Sequence, residues 1–211
     1  MKDCLKPTYY IDFEDKAVMD FVHKHTRQGA TLPQQAQSLF YAVRDGIQYN
    51  PYEIETSQAS LKASATLGRG HGFCIAKAVV MVAACRAVGI ESRLGFADLI
   101  NHRLPEKLKA MLGSNHIVYH GYCELYLHNK WIKVTPVFPL ALCQEHGYLP
   151  VSFDGISDAI FQKQDVRGNP HMEYIGFHGV FDDLPFDEIL KAFQTCYPKY
   201  FTKRDNAVGV S

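Results

Sequence analysis

An α+β fold, with helices packed on an antiparallel sheet, is predicted by three features of the sequence. The run from Ile75 to Ala87 is apolar on nearly every side, as a helix at the centre of a molecule must be. The segment from His116 to Val137 alternates apolar and polar residues about a short polar turn, which is the pattern of a β-hairpin. Amphipathic stretches with helix-start and helix-stop signals lie on both sides of these two segments.

Taken in order, the first helix is expected from about Asp15 to Lys24, with Val18, Phe21 and Val22 as its apolar stripe. Thr31-Leu32-Pro33-Gln34 reads as a capping box. Ala36, Leu39, Phe40 and Val43 follow at helical spacing and Gly46 takes the stop position, so a second helix runs from about Pro33 to Asp45. Gly89 closes the Ile75 to Ala87 helix, whose only charge before Arg86 is Lys77. Arg93 to Ala97 reads as a short strand, and Pro105 to Leu112, ended by Gly113, as a small helix. In the hairpin, Ile117, Tyr119, Cys123, Leu125 and Leu127 share one face, and His116, His120, Tyr122, Glu124 and Tyr126 share the other. A two-residue turn at His128-Asn129 sets Glu124 opposite Lys133, Tyr126 opposite Trp131 and Tyr122 opposite Thr135, with His120 the diagonal neighbour of Thr135. Past Pro139 the pattern weakens into irregular connections marked by Gly147, Pro150, Gly155, Gly168 and Pro170, before a last helix from Pro185 to about Tyr197.

One domain over residues 1–211 fits this length and an apolar share of 47%. Lysine plus arginine equals aspartate plus glutamate at 22 each, so no net field draws the chain to nucleic acid or to an anionic membrane. No stretch reaches the roughly 18 uncharged apolar residues of a membrane span, and Met1 to Pro7 lacks the apolar core of a signal peptide. A cytoplasmic protein with neither nucleic-acid nor membrane partners is the expectation; nothing in the sequence fixes an oligomeric state. Cysteines 4, 74, 85, 123, 143 and 196 are scattered without a C-x-x-C pair and read as free thiols, most of them buried.

Cys74 is set apart from the other five by its approach, Gly68-Arg69-Gly70-His71-Gly72-Phe73. Glycines that break regular structure, followed at once by a helix, put the thiol in the first helical turn. There the unpaired N–H groups and the dipole favour a thiolate and can hold an oxyanion. Cys85, inside the apolar helix and without a flanking glycine, reads as packing. His116 and His120 are four apart on a strand, hence on one face, but roughly 13 Å apart by rise, too far to share an ion. No metal and no cofactor is expected.

Several motifs together resemble the transglutaminase-like superfamily of papain-type cysteine enzymes. They are Gly70-His71-Gly72-Phe73-Cys74, the segment Arg86 to Arg93, His120-Gly121-Tyr122-Cys123-Glu124, and Trp131-Ile132-Lys133-Val134-Thr135-Pro136, in the family's order across residues 49–136. The resemblance implies a papain-like or transglutaminase-core-like fold, Cys74 as nucleophile, His120 as general base and acid, and a substrate cleft bordered by His71, Gly72 and Phe73. In the family an aspartate directly before a proline orients the histidine, and here Thr135 stands in that place. A threonine hydroxyl can accept the imidazole N–H and fix its tautomer, but it brings no negative charge. Either this neutral group suffices, as in the Cys-His-Asn arrangement, or a carboxylate from elsewhere takes the role, with Asp154 the best placed. The implied reaction is acyl transfer, in which Cys74 attacks an amide or thioester-like carbonyl and His120 protonates the leaving amine. With water as the acceptor this is a peptidase or amidase acting on a peptide or amide substrate, the expected activity. With an amine it is a transglutaminase, and the missing aspartate leaves a non-catalytic binding module as the alternative from another class. A second oxyanion donor is sought at Gln48 to Asn50, and the polar, aromatic cluster His171-Met172-Glu173-Tyr174 is expected in a loop.

Overall fold

The computed structural model describes residues 3–202, so Met1 and Lys2 of the amino end lie outside the described residues. Along the chain run α1 (Lys16–His25), α2 (Leu32–Gly46), β1 (Gln48–Tyr49), α3 (Ala63–Arg69), β2 (His71–Gly72), α4 (Cys74–Ala87), β3 (Ser92–Asn101), α5 (Glu106–Leu112), β4 (His116–Leu127), β5 (Lys130–Val134), α6 (Leu140–His146), β6 (Met172–Phe181) and α7 (Phe186–Cys196). Four strands form an antiparallel sheet in the order β5-β4-β3-β6, while β1 and β2 make a separate two-stranded parallel pair. Helix α4 lies against β4 and β3, and α1, α2 and α3 pack around it. This is the α+β arrangement that the sequence predicts. Among the described residues no helix is long and apolar enough to cross a membrane. All six cysteines are free, and only Cys196 is exposed.

Helix α4 is central because it has no polar face: every residue from Cys74 to Arg86 is buried. Its two charged residues survive burial by serving backbone carbonyls that would otherwise lack donors. Lys77 Nζ donates to the carbonyls of Arg44 (2.9 Å) and Ile47 (2.7 Å), which lie at the carboxyl end of α2, where no intrahelical N–H reaches. Arg86 donates to the carbonyls of Ser92, Lys6 and Asp182 at 2.6–3.1 Å, joining the start of β3, the amino-terminal segment and the chain just after β6.

The hairpin follows its predicted register, with Glu124 opposite Lys133 and Tyr126 opposite Trp131. Its two turn residues, His128 (φ 52°) and Asn129 (φ 59°), are both left-handed, as a type I′ turn requires. Three expectations need correction. First, β4 carries a bulge: Ala97 pairs with His120 and Leu99 with Ile117, so Val118 and Tyr119 together oppose Asp98. Tyr119 is left-handed (φ 51°), and its N–H donates to Asp98 Oδ1. The extra residue breaks the period of two, so His116 and His120 no longer share a face. His116 turns to Asp98 instead. Second, the β4–β5 ladder stops at Cys123 and Val134, because the Thr135 N–H donates to the Ala159 carbonyl (2.8 Å); Tyr122 and Thr135 are not paired. Third, the region beyond Pro139 is not all irregular. It contains α6 and the edge strand β6, and His171 to Tyr174 therefore lead into a strand.

Burial drives the Lys77 amine down to about 7, with the Asp45 carboxylate opposing the drop and Arg44 adding to it. The unfolded chain holds that proton up to about pH 10.5, so between these values the unfolded state binds more protons and stability rises with pH. Urea unfolding of the wild type and of Lys77→Met at pH 7 and pH 9.5 reads this directly. The wild type is expected to gain on the variant by up to about 1.4 kcal/mol per pH unit. Equal pH dependence in the two would mean that Lys77 keeps its charge when folded.

Candidate active site

The approach to α4 is built from glycines for steric reasons. Gly70 caps α3 in the left-handed region (φ 74°), and the chain then enters β2. Gly72 passes so close to α4 that a Cβ there would lie 2.8 Å from the Cβ of Ala76. Phe73 is extended and serves as the N-cap, and Cys74 is the first helical residue. The bond from the Lys77 N–H to the Phe73 carbonyl opens the helical ladder, which leaves the N–H groups of Cys74, Ile75 and Ala76 without intrahelical acceptors. From the sheet side, Gly121 of β4 meets the same turn: a Cβ on Gly121 would lie 3.0 Å from the Cα of Ile75 and 3.3 Å from its nitrogen. The N–H groups of Gly121, Ile75 and Cys74 face the Cys74 sulfur.

Cys74, His120 and Phe73 line one cavity, together with Tyr49, Phe138, Phe161 and a wall of aliphatic side chains. The His120 ring lies 5.1 Å from that of Phe161 and meets the Tyr174 ring edge-on at 6.4 Å. Of the other residues that the sequence singles out, Gly72 acts through its packing, and His71 points away to Glu53 at 3.7 Å. Neither lines the cavity. Thr135 lies fully buried outside the cavity lining. His120 Nε2, Thr135 Oγ1 and the Tyr174 hydroxyl are among the six buried side-chain polar atoms of the described residues that have no hydrogen-bond partner. The Tyr174 hydroxyl is close enough to Thr135 and to the Phe161 backbone for both to oppose the effect of burial, which raises it to about 12, but it makes a regular hydrogen bond with neither.

One sequence-derived candidate is displaced. Asp154 is exposed, and its Oδ1 accepts the N–H groups of Ile156 and Ser157, so it closes a local turn and does not face the cavity. The backbone N–H groups of Gln48 and Asn50 donate to the Gly70 and Gly72 carbonyls (3.0 Å each) in the β1–β2 pair, and both residues line an adjoining cavity. The Gly121 N–H faces the sulfur. Its glycine was visible in the His-Gly motif, but its closeness to α4 was not. Tyr174 was visible only as part of an unassigned cluster.

Burial governs the electrostatics. Cys74 is 7% exposed, and burial pushes its thiol up to about 11 against the pull of the Gly121, Ile75 and Cys74 N–H groups. His120 is 2% exposed, and burial pushes its imidazole down to about 3. The thiolate expected at a helix start is therefore not the resting form, because loss of water outweighs the N–H groups. Both side chains are neutral near pH 7. Among the described residues, no group of three or more His, Cys, Asp or Glu side chains is placed to hold a metal ion.

A cysteine opening a buried helix, with a histidine from the facing sheet in the same cavity, is an arrangement of cysteine-dependent enzymes. The chain belongs to the transglutaminase-like superfamily, whose sequence profile matches residues 20–136. Among solved structures it is similar to a candidate cysteine protease from Cytophaga hutchinsonii, with a TM-score of 0.51 at 16% identity. The match covers 84% of this chain and 53% of that one, so this chain spans about half the length of that protein, and the likeness is one of fold. No curated protein matches the sequence.

With burial holding the thiol well above its ordinary value, only a small fraction of molecules carries the thiolate at pH 7. Iodoacetamide labelling of Cys74, followed by mass spectrometry, is expected to be slower than that of exposed Cys196 from pH 6 to 8. It should climb steeply only above about pH 10. Fast, selective labelling of Cys74 at pH 6 would instead reveal a standing thiolate–imidazolium pair.

Proposed function

We propose that the chain is a cysteine-dependent hydrolase of amide bonds, acting on a peptide or amide substrate, with Cys74 as nucleophile and His120 as general base and acid. The observation that carries this reading is the cavity that both side chains line, with the thiol at the open end of α4 and N–H groups around it. Because both groups rest neutral, the proton moves as the sulfur–carbon bond forms. His120 takes the Sγ proton, and the carbonyl electron pair shifts to oxygen, facing the N–H groups of Cys74 and Gly121. Collapse breaks the C–N bond, and the imidazolium returns its proton to the leaving amine. Water then adds to the thioester, giving a proton to His120; the C–S bond breaks, and the thiol takes that proton back.

In this reading Thr135 orients His120, assisted by Tyr174. Both hydroxyls, like His120 Nε2, are buried without partners, and the Tyr174 ring meets the His120 ring edge-on. They can fix a tautomer but cannot hold an imidazolium as a carboxylate would. A charged group in their place changes the resting state: Thr135→Asp favours the imidazolium, and through it the thiolate. Iodoacetamide labelling of Cys74 at pH 6 is expected to be at least about tenfold faster in Thr135→Asp than in the wild type, with no acceleration in Thr135→Val. Equal rates in all three would remove Thr135 from the site.

Acylation by an activated ester tests the reaction itself. With p-nitrophenyl acetate, the acyl group is expected on Cys74 in preference to exposed Cys196, and His120→Ala is expected to slow this by about a hundredfold or more. Turnover in water identifies a hydrolase, and diversion of the product to an added amine identifies an acyltransferase. Slower modification at Cys74 than at Cys196, unaffected by His120, would favour a binding module that keeps the fold without turnover.

A further inference from the structure

We infer that the acyl group delivered to Cys74 is apolar, an aliphatic chain or a large hydrocarbon side chain, and that it binds against the inner face of α5. This rests on the reading of Cys74 as the nucleophile. The cavity at Cys74 opens to solvent, its walls are mainly apolar, and no aspartate, glutamate, lysine or arginine side chain lines it. Its walls include Leu104, Leu108 and Leu112 from the connection between β3 and β4, together with Ile117, Val118 and Met172. Leu108 and Leu112 are one turn apart on α5, so they present one face, and both are buried.

Two polar groups on these walls are already engaged. Asn101 Oδ1 accepts the N–H of Arg103 (2.9 Å). The Tyr197 hydroxyl accepts the N–H of Val118 (2.7 Å) and donates to the His116 carbonyl (3.1 Å). A carboxamide or a charge carried in beyond the reacting carbonyl would lose its water and find little to replace it. A hydrocarbon gains from the same walls, about fourfold in binding for each methylene buried.

A second cavity adjoins the first and shares Tyr49, Pro51, Asn101, Leu104, Leu108 and Phe138 with it. It is lined in addition by Gln48, Asn50, Tyr52, His146 and Tyr148, and so offers polar and aromatic groups.

The test uses the full chain and a series of p-nitrophenyl esters from acetate to octanoate. Acylation of Cys74 is read by mass spectrometry as a ratio to that of exposed Cys196, which cancels the intrinsic reactivity of each ester. The ratio is expected to rise about fourfold per methylene until the cavity is full. Leu108→Gln is expected to flatten that slope; if this variant does not fold, the wild-type series decides alone. A second arm compares p-nitrophenyl esters of N-acetyl-leucine, N-acetyl-glutamine and hexanoic acid. Preference for leucine supports a peptide-type acyl group, preference for hexanoate supports a fatty chain, and either upholds the inference. A flat or falling series, or preference for glutamine, overturns it while leaving Cys74 as the nucleophile. If no ester reaches Cys74, the nucleophile reading fails as well.

Discussion

Everything at the site hangs on the contact between Gly121 and the first turn of α4. The strand comes so near that a single methyl group would sit 3.0 Å from the Cα of Ile75. This closeness aims a backbone N–H at the Cys74 sulfur and sets His120, the preceding residue, at the wall of the cavity that Cys74 shares. Gly72 makes the same kind of approach from the other side, against Ala76. The first turn of α4 is thus gripped between two glycines, and its position follows from backbone packing rather than from side-chain bonds. Forcing extra atoms into such contacts typically costs about 1–3 kcal/mol, because backbone has to move.

The same gripped, dry interior explains the charge state of what lies in it. The Cys74 thiol, the His120 imidazole and the Lys77 amine all move toward their neutral forms, and in each the largest cause is loss of water. A threonine at 135 is in keeping with this. It is fully buried, and a carboxylate there would be a buried charge.

Local patterns in the sequence carried the fold a long way. The absence of a polar face placed α4 at the centre, and the pair His128-Asn129 set the hairpin register, because both effects act over a few residues. What stayed hidden depends on remote partners. The bulge requires a tyrosine in a left-handed conformation that its residue type does not favour, and it is held by Asp98 from the neighbouring strand. Thr135 leaves the ladder for Ala159, and no pattern near Thr135 announces that. Strand β6 contains Gly176 and Gly179, shifts register twice against β3 and leaves Ile175 and Phe177 exposed, so its alternation is too weak to read. The motifs single out Cys74 and His120, which line one cavity, but not their burial, since burial belongs to the folded chain alone.

Arg86 gives the molecule a further property. One guanidinium holds the carbonyls of Lys6, Ser92 and Asp182, segments far apart in the chain. Fraying normally begins at chain ends and proceeds locally, each end independently of the other. Here both outer segments share a single anchor on the central helix, so opening one strips an acceptor from a buried cation that also serves the other. A chain that loosens at residue 6 therefore loosens at residue 182 as well.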